Sequence, residues 1–406
     1  MSEIDNRSQQ SRLCWLVPGE RAGGIIWVAD SCCRQSAAEG YEVTLLTMEP
    51  LSTRTRQTAN YSVNCLNVIS PYTDTPKIFL DWVTQNRPDV LFINGCDTMD
   101  DCIPYLPPEV RCVYVVHDTM SFYWKRAVKY EKSLDAIVAV SNATASRFRG
   151  RLKHPERLHV IQNGTVFPPR RTLDSPSHGK DLVFLGGSDS RKGAYDLVHL
   201  WPILVESGYS GRLHWYGQMA EDIKLRIATL PASDQIMTYG HVPRTEVLLR
   251  LESSSVLLML SRAEACSIAL LEGMSMGCVP VAWDINDTGT KEIVKDGHRF
   301  LAPLGDYNAL AKQTLLALEH HDAVTEGIAT HARTEFAESR MWRDYGIIIN
   351  QIVTQPLAIR PCEGQSPPDY EFPIRTSQLI PRRLWKFLKP RIAKSPRLYY
   401  FLRKKL

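Results

Sequence analysis

The sequence of 406 residues has no long apolar run and no paired-cysteine motif. A membrane-spanning helix needs about 18 uninterrupted apolar residues, and no such run occurs. The ten cysteines include no C-x-x-C pair, which argues against structural zinc, and Cys14, Cys112 and Cys278 lie in apolar runs where a thiol packs as a small hydrophobic group. The polar start, "MSEIDNRSQQSR", is unlike a signal peptide. We therefore expect a cytoplasmic protein.

Acids are missing from residues 381–406, which hold ten lysines and arginines. Subtracting these ten from the net charge of +4 leaves −6 for residues 1–380, and a mildly acidic body argues against a nucleic-acid partner. The basic tail, residues 381–406, interleaves cations with Trp385, Phe387, Tyr399 and other apolar side chains. We expect it to hold the protein peripherally on the inner face of an anionic membrane, at about 1 kcal/mol per cation. A helix packed on the body and a disordered basic end are the alternatives.

Short apolar runs alternate with amphipathic segments along the chain, a pattern typical of parallel strands covered on both faces by helices. The predicted strands are residues 12–17, 42–48, 63–69, 89–94, 112–117 and 136–141 in the first half, and 182–187, 212–217, 235–240, 256–260 and 279–283 in the second. This pattern predicts an α/β protein with two doubly wound Rossmann-like domains facing an interdomain cleft.

Shifts in composition set the predicted boundaries. A stretch rich in Pro, Ser and charge separates the halves, and a second composition change begins near Pro356. The predicted parts are an N-terminal domain (1–168), a hinge linker (169–180), a C-terminal domain (181–340), a crossover helix returning to the N-terminal domain (341–355), a linker (356–380) and the basic tail (381–406).

Two glycine-rich loops follow predicted strands and are suited to an anion. In "PGERAGGI", Gly23 and Gly24 let backbone N–H groups approach a ligand, and the following helix directs its positive end there. In "GGSDSRKG", Arg191 and Lys192 precede a helix, where the helix dipole disfavours cations unless an anion lies between them. Ordinary turn chemistry and a solvated basic turn are the alternatives.

A third loop, "SRAEACS", precedes the helix "IALLEGMSM", with Ser267 as its candidate N-cap. From the sequence we expect the amides at this helix start to donate to phosphate oxygens, namely those of Ala265, Cys266, Ser267 and Ile268. Glu264 lies before the helix and Glu272 lies more than one turn inside it. Carboxylates repel phosphate but accept hydrogen bonds from sugar hydroxyls, so this arrangement describes a site for a nucleotide sugar.

A lone histidine, His117, ends a first-half strand in "VVHDT". Such a residue is more often structural than catalytic. The ends of parallel strands are where ligands bind, which keeps a functional role open.

The motifs, and their order along the chain, resemble those of retaining glycosyltransferases of the GT-B fold, especially the large family 4 group. "EACSIALLE" resembles the E-x7-E signature, "FLGGSDSRKG" resembles "VGRLxxxKG", and "GMSMGCVPVAW" resembles "AMAxGxPVVA". "LVPGERAGGI" and "VIQNGTV" resemble the N-terminal glycine loop and the "IPNGVD" segment of that group. The similarity covers about residues 12–350.

The resemblance implies a metal-independent enzyme that moves a sugar from a nucleotide-diphosphate sugar to a hydroxyl of a glycan or lipid-linked glycan. It implies an acceptor-side N-terminal domain and no cofactor beyond the donor. By the same resemblance, Glu264 should hold the donor sugar's hydroxyls, Lys192 should pair with the diphosphate, and His117 should touch the donor sugar or the transition state. The implied substrate-binding residues are Glu272 at the ribose, Gly23, Gly24 and Arg191 at the phosphates, residues 265–268 at the helix start, and Gly240 and His241 near the base.

Two motifs depart from the family's pattern. Gly187 stands where the family usually has an arginine, and "DTGTKE" replaces its "GGxxE". No D-x-D pair of the metal-dependent GT-A type follows a strand; "CDTMDD" (96–101) comes nearest, and we interpret it as a polar loop. A non-catalytic GT-B domain acting as partner or scaffold and a sugar-nucleotide epimerase are the alternative functions. A dehydrogenase is disfavoured because no G-x-G-x-x-G follows the first strand.

Overall fold

The computed structural model describes residues 11–19, 23–48, 50–51, 60–66, 75–169, 179–294 and 300–365. The chain forms two compact units, Met1–Gly164 with Glu338–Leu406, and Thr165–Ala337. The first unit is discontinuous in sequence because its last helix follows the whole of the second unit. The prediction for the basic tail lies outside the described residues.

The strands, in chain order, are β1 (Arg12–Val17), β2 (Glu42–Thr47), β3 (Ser62–Cys65), β4 (Val90–Ile93), β5 (Arg111–Val116), β6 (Ala136–Ala139), β7 (Leu158–Val160), β8 (Gly179–Leu185), β9 (Leu213–Tyr216), β10 (Ile236–Tyr239), β11 (Ser254–Met259), β12 (Val279–Asp284) and β13 (Phe300–Pro303). The helices are α1 (Gly24–Ala38), α2 (Thr75–Asn86), α3 (Ser121–Tyr130), α4 (Asn142–Ser146), α5 (Ala194–Glu206), α6 (Glu221–Ala228), α7 (Arg244–Glu252), α8 (Ile268–Ser275), α9 (Gly289–Ile293), α10 (Tyr307–Glu335) and α11 (Glu338–Thr354).

Among the described residues, the first unit has a seven-stranded sheet in the order β3-β2-β1-β4-β5-β6-β7, and all its paired strands are parallel. Every residue of β4 and β6 is buried, because helices cover both faces of the sheet. Trp15 stacks on Phe92 at 4.0 Å between ring centroids, and Tyr345 of α11 meets Trp15 edge-on at 5.2 Å. The returning helix therefore packs on the centre of this sheet.

The second unit has a six-stranded parallel sheet, again counting only described residues, in the order β10-β9-β8-β11-β12-β13. In both sheets the chain winds outward on one side and then on the other, with the switch between β1 and β4 in the first and between β8 and β11 in the second. This is the doubly wound α/β arrangement predicted from the alternating apolar runs, and the structure confirms it.

Several local predictions differ from the structure. The short strands β7 and β13 were not predicted, because segments of three or four residues give little periodic signal. β8 begins at Gly179, inside the predicted hinge, and the first segment of the first unit ends at Gly164 rather than at residue 168. The returning helix begins at Glu338, within the range 181–340 assigned to the C-terminal domain.

Part of the predicted linker 356–380 is packed on the first unit. The Arg360 side chain is fully buried, where it donates to Asp135 at 3.1 Å and to the carbonyl of Val110 at 2.9 Å. A buried guanidinium of this kind fixes the chain in place, because leaving it unpaired is costly. All ten cysteines lie in the described ranges and none forms a disulfide. No helix of the described residues is long and apolar enough to cross a membrane.

Candidate active site

The site of the second unit lies at the switch point of its sheet, where the loops after β8 and β11 leave neighbouring strands in opposite directions. Ligands of open α/β sheets bind at such a point, outside the carboxyl ends of the strands. The loop after β8 carries Arg191 and Lys192, and the loop after β11 carries Glu264. The two motifs quoted from the sequence are therefore adjacent in space.

Lys192 and Glu264 form an ion pair across this switch point, with the Lys192 ammonium donating to Glu264 Oε1. The Glu264 carboxylate is mostly buried and the Lys192 side chain is about one third exposed. The structure thus brings together the two side chains that the family resemblance assigns to the diphosphate and to the sugar.

Two backbone hydrogen bonds and one ion pair hold the loops around this pair. The amide of Arg262 donates to the carbonyl of Arg191 at 3.0 Å, and the Arg262 guanidinium pairs with Asp196 of α5 at 2.7 Å. On the other side, the amide of Gly289 donates to the carbonyl of Glu264 at 2.8 Å. The spacing of Lys192 and Glu264 is therefore fixed by three neighbouring loops rather than by the pair alone.

Helix α8 begins beside the pair with Ser267 as its N-cap, as predicted. The Ser267 side chain makes no capping hydrogen bond to the helix, so it does not occupy the first-turn amides. Ala265, Cys266 and Ser267 are buried, and Ile268 is partly buried. The helix ends at Ser275 with Met276 as its C-cap, and Gly277 follows at a φ of 96° with its amide donating to the carbonyl of Met274 at 3.0 Å.

Glu272 is buried inside α8 and has a partner that the sequence analysis missed. Arg244, at the start of α7, donates from Nε to Glu272 Oε1 and from Nη2 to the carbonyl of Val166 at 3.0 Å. Burial raises the pKa of Glu272, and the Arg244 charge and hydrogen bond oppose that rise. A lone arginine at a helix start gives no sequence signal, because only the fold brings it to Glu272.

Arg191 has a different environment from Lys192. Its guanidinium lies on Asp189, with Nη2 to Oδ2 at 2.8 Å, and its amide donates to Asp189 Oδ1 at 2.8 Å. Asp189 therefore neutralises the cation expected to assist at the phosphates. The pairing leaves Lys192 as the cation of this turn that faces Glu264.

Gly187, where the family has arginine, sits in a close crossing of two loops. Its φ is 50°, and a Cβ there would lie 2.7 Å from the carbonyl oxygen of Gln218. The indole of Trp215 also donates to the Gly187 carbonyl at 2.8 Å. A side chain does not fit this backbone, which gives the departure from the family pattern a packing reason.

Gly240 and His241 follow β10, the edge strand of the second sheet, and His241 is exposed. The carbonyl of Gly240 accepts from the amide of Gly217 at 3.3 Å, which joins it to the loop after β9. In this unit they lie at the carboxyl ends of the strands, two strands away from β8.

In the first unit, Gly23 is the N-cap of α1 and Gly24 its first residue, with Gly23 at a φ of 58°. His117 follows β5 and bonds through Nε2 to Asn94 Oδ1 at 2.8 Å. Asn94 follows β4, beside the switch point of this sheet, and its amide group donates to the carbonyl of Leu16 at 3.0 Å. Asn94 was not predicted, because a single asparagine after a strand is unremarkable in sequence.

This network sets the tautomer of His117. Because the Asn94 NH₂ group donates to main-chain carbonyls, its Oδ1 must accept, so His117 carries its proton on Nε2 and offers Nδ1 as an acceptor. Burial lowers the pKa of His117 to about 3. The ring is therefore neutral near pH 7, suited to accepting a hydrogen bond rather than to carrying a charge.

Two acids of "CDTMDD", Asp100 and Asp101, serve the structure of the first unit. Asp100 and Asp101 are buried, and Arg126 pairs with both, at 3.1 and 3.3 Å. The Tyr114 hydroxyl donates to Asp100 at 3.0 Å. Over the described residues, no group of three or more His, Cys, Asp or Glu side chains is arranged to hold a metal ion.

Both units match families of glycosyltransferases. Residues 22–166 match Glycosyltransferase Family 4, and residues 169–331 match Glycosyl transferases group 1. The two matches fall on the two units described above. The chain belongs to the GT-B, family 4-like glycosyltransferases.

Solved structures share the fold of this glycosyltransferase. A glycosyltransferase from Rickettsia africae superposes with a TM-score of 0.71 at 15% identity, over 85% of this chain and 99% of that one. Anabaena HepE, crystallised in complex with UDP, superposes with a TM-score of 0.66 at 16% identity, over 84% and 100%. At these identities the likeness shows the fold alone.

Sequence relatives carry glycosyltransferase names. An uncharacterised glycosyltransferase of Haemophilus influenzae is 22% identical over 289 residues, which is 68% of this chain and 80% of that protein. A GDP-mannose:cellobiosyl-diphosphopolyprenol alpha-mannosyltransferase of Xanthomonas campestris is 23% identical over 153 residues, covering 37% of this chain and 40% of the relative.

Proposed function

We propose that this glycosyltransferase takes its sugar from a nucleotide-diphosphate sugar, without a metal, and retains the configuration at the anomeric carbon. The observation that carries the proposal is the Lys192–Glu264 pair at the switch point, beside the helix start that leads to Glu272. A cation with uncapped amides suits a diphosphate, and the two buried carboxylates suit the hydroxyls of the rings on either side.

The chemistry asked of these groups is mainly positioning and charge stabilisation. The bond from the anomeric carbon to the diphosphate oxygen breaks while the acceptor oxygen bonds to the same face of that carbon. The departing diphosphate takes the proton of the acceptor hydroxyl. Lys192 and the first-turn amides of α8 stabilise the negative charge that grows on the diphosphate, and Glu264 holds the hydroxyls of the sugar.

His117 has a supporting role in this proposal. A neutral imidazole with Nδ1 as an acceptor can bond a sugar hydroxyl, and it carries no positive charge near pH 7. We therefore assign it to hydrogen bonding with a sugar rather than to proton transfer.

We propose a glycan or a lipid-linked glycan as the acceptor. The Xanthomonas relative has a diphosphopolyprenol acceptor in its name, and HepE was crystallised with UDP, so UDP- and GDP-sugars are the first donors to test. Membrane contact through residues 381–406 would suit a lipid-linked acceptor, and it stays a prediction from sequence.

A non-catalytic GT-B subunit is the second candidate function. Gly187 in place of the arginine and the pairing of Arg191 with Asp189 both reduce the positive charge open to a diphosphate. Retention of Lys192 and both glutamates favours the enzyme.

Donor binding and hydrolysis separate these candidates. A thermal-shift panel of UDP, GDP, ADP, CDP and dTDP, run with and without EDTA, should show one diphosphate that raises the melting temperature equally in both buffers. Hydrolysis of the matching UDP- or GDP-sugar, followed by NMR, should release the anomer with the donor's configuration first. No shift with any diphosphate would contradict the proposal, and a shift without hydrolysis or transfer would favour the non-catalytic subunit.

A further inference from the structure

The stretch Ser121–Arg157 of the first unit, all of it described, carries an excess of positive charge on its surface. Its exposed cations are Lys125, Lys129, Lys132, Arg147, Arg149, Arg151 and Lys153. Of the three acids in this stretch, Glu131 and Asp135 are buried, and Glu156 alone is exposed. This density of one sign contrasts with the net charge of −6 over residues 1–380.

Contacts join five of these cations into one surface. Lys125 and Lys129 lie four residues apart in α3, on one side of the helix. The Lys125 ammonium and the Arg151 guanidinium lie 5.9 and 5.1 Å from the centre of the Trp124 ring. The carboxylate of Glu131, the residue before Lys132, accepts from the amide of Lys153 at 3.0 Å, which holds the backbone of Lys153 at the end of α3. We call Lys125, Lys129, Lys132, Arg151 and Lys153 the basic patch.

Exposed aliphatic side chains adjoin the basic patch. The amide of Ile359 donates to the carbonyl of Lys132 at 3.2 Å, and the Ile359 side chain is 68% exposed. Leu357 is 46% exposed. The neighbouring buried Arg360 fixes this segment through Asp135. A single exposed aliphatic residue is ordinary, but here two lie on a fixed segment next to a dense cluster of cations.

We propose that the basic patch, with Leu357 and Ile359, docks on the surface of a bilayer that contains anionic phospholipid. Each cation near such a surface is attracted by the anionic headgroups, and aliphatic side chains gain further free energy by entering the boundary between headgroups and acyl chains. A nucleic acid or a soluble polyanion would attract the cations but offers nothing to Leu357 and Ile359. The contacts therefore favour the bilayer.

The course of helix α3 shows where the basic patch lies relative to His117. It begins after β5, at the edge of the sheet where His117 lies, and ends before β6, at the opposite edge. Lys125 and Lys129 lie on α3 and Lys132 follows its end, so these three cations extend away from the strand end that carries His117. Docking on lipid would leave donor binding by the second unit unchanged, so this proposal and the proposed function can fail separately.

Vesicle sedimentation of the full chain tests the proposal. The wild type should bind vesicles of equimolar phosphatidylcholine and phosphatidylglycerol but not phosphatidylcholine alone. The variant Lys125→Glu/Lys132→Glu/Arg151→Glu should bind the anionic vesicles at least about tenfold more weakly. Ile359→Asp should also weaken binding, several-fold, with the five cations intact.

The matched control reverses three exposed lysines of the second unit, Lys180, Lys224 and Lys312, and so changes the net charge equally. It should bind like the wild type. Unchanged melting temperature and unchanged diphosphate binding of each variant show that its fold is intact. Wild-type binding by the basic-patch variant, equal loss in the control, or binding to heparin or DNA with none to anionic vesicles would each overturn the proposal.

Discussion

Lys192 and Glu264 are paired with each other at the switch point of the second sheet, although the family resemblance assigns one to the diphosphate and the other to the sugar. A donor that binds Lys192 through its diphosphate and Glu264 through its sugar must break this ion pair and replace it with contacts to each side chain. The pair thus keeps a buried carboxylate and its cation compensated until a ligand arrives, since an unpaired buried charge is costly.

Replacement of Lys192 by alanine should lower kcat/KM at least about tenfold, equivalent to about 1.4 kcal/mol. The variant loses the cation at the diphosphate and leaves Glu264 without its partner. Initial rates of donor consumption measure the effect. Lys224→Ala removes an exposed lysine of α6 whose ion pair is with Glu221, and it should leave the rate unchanged. Full activity of the Lys192 variant would contradict the assignment.

Glu272→Ala should lower kcat/KM by a similar factor, about tenfold or more, because the ribose hydroxyls lose their acceptor. The same change leaves Arg244 without its carboxylate. Isothermal titration with the diphosphate that the thermal-shift panel selects, compared with its deoxyribose counterpart, checks the role. The wild type should prefer the ribose form, and the variant should bind both forms alike. If the variant still preferred the ribose form, the assignment of Glu272 to the ribose would be wrong.

Arg244→Gln should shift the acid limb of the donor KM to higher pH. Burial raises the folded pKa of Glu272, and Arg244 lowers it, so removing the arginine keeps the carboxyl protonated to a higher pH. The donor KM between pH 5 and 8 measures the shift. Lys312→Gln, on the exposed face of α10, is the matched control. A uniform rise in KM at every pH would indicate a purely structural role for Arg244.

Gly187→Ala should destabilise the second unit more than Gly208→Ala does. Both glycines have positive φ, 50° and 87°, which costs a side chain about 1–2 kcal/mol, but only at Gly187 would the new Cβ meet the carbonyl of Gln218. Comparing the melting temperatures of the two variants separates the cost of the positive φ, which both share, from the cost of the Cβ contact with Gln218, which only Gly187→Ala has. Equal losses would show that Gly187 is required for its φ alone.

The wild type should lose unfolding free energy as the pH falls, and the variant His117→Gln should not show this loss. The pKa of His117 falls from 6.5 to about 3 on folding, so its stabilising effect is complete above pH 6.5 and declines as the pH falls towards 3. Between pH 7.5 and 5 the wild type should lose about 2 kcal/mol of unfolding free energy that the variant keeps. Urea unfolding at both pH values measures this, with His320→Gln, at an exposed position of α10, as control.

The fold could be predicted from sequence because its strands are nearly continuous apolar runs at regular intervals. Trp15 and Phe92, for example, lie in such runs and stack in the sheet. β13 and β7 were missed because each is short and partly exposed. The hinge prediction was too long at its C-terminal end, since Gly179 and Lys180 look like loop residues but begin β8.

The candidate site was predictable where glycines, cations and acids fall at strand ends. This holds for Lys192, Glu264 and Ser267, which their motifs mark directly. It fails for Arg244 and Asn94, whose contacts with Glu272 and His117 join residues far apart in sequence. Their side chains are ordinary in their local context, and only the tertiary structure brings them to the site.

The first unit takes its last helix and the Arg360 segment from the chain beyond residue 337, whereas the second unit is one continuous stretch. During translation all residues of the second unit are therefore synthesised before the last residues of the first unit, although the first unit begins earlier in the chain. Until α11 is synthesised, the sheet face that carries Trp15 and Phe92 lacks the helix that covers it in the folded protein. Arrest of synthesis between the two units should leave a nascent chain that chaperones and proteases engage readily.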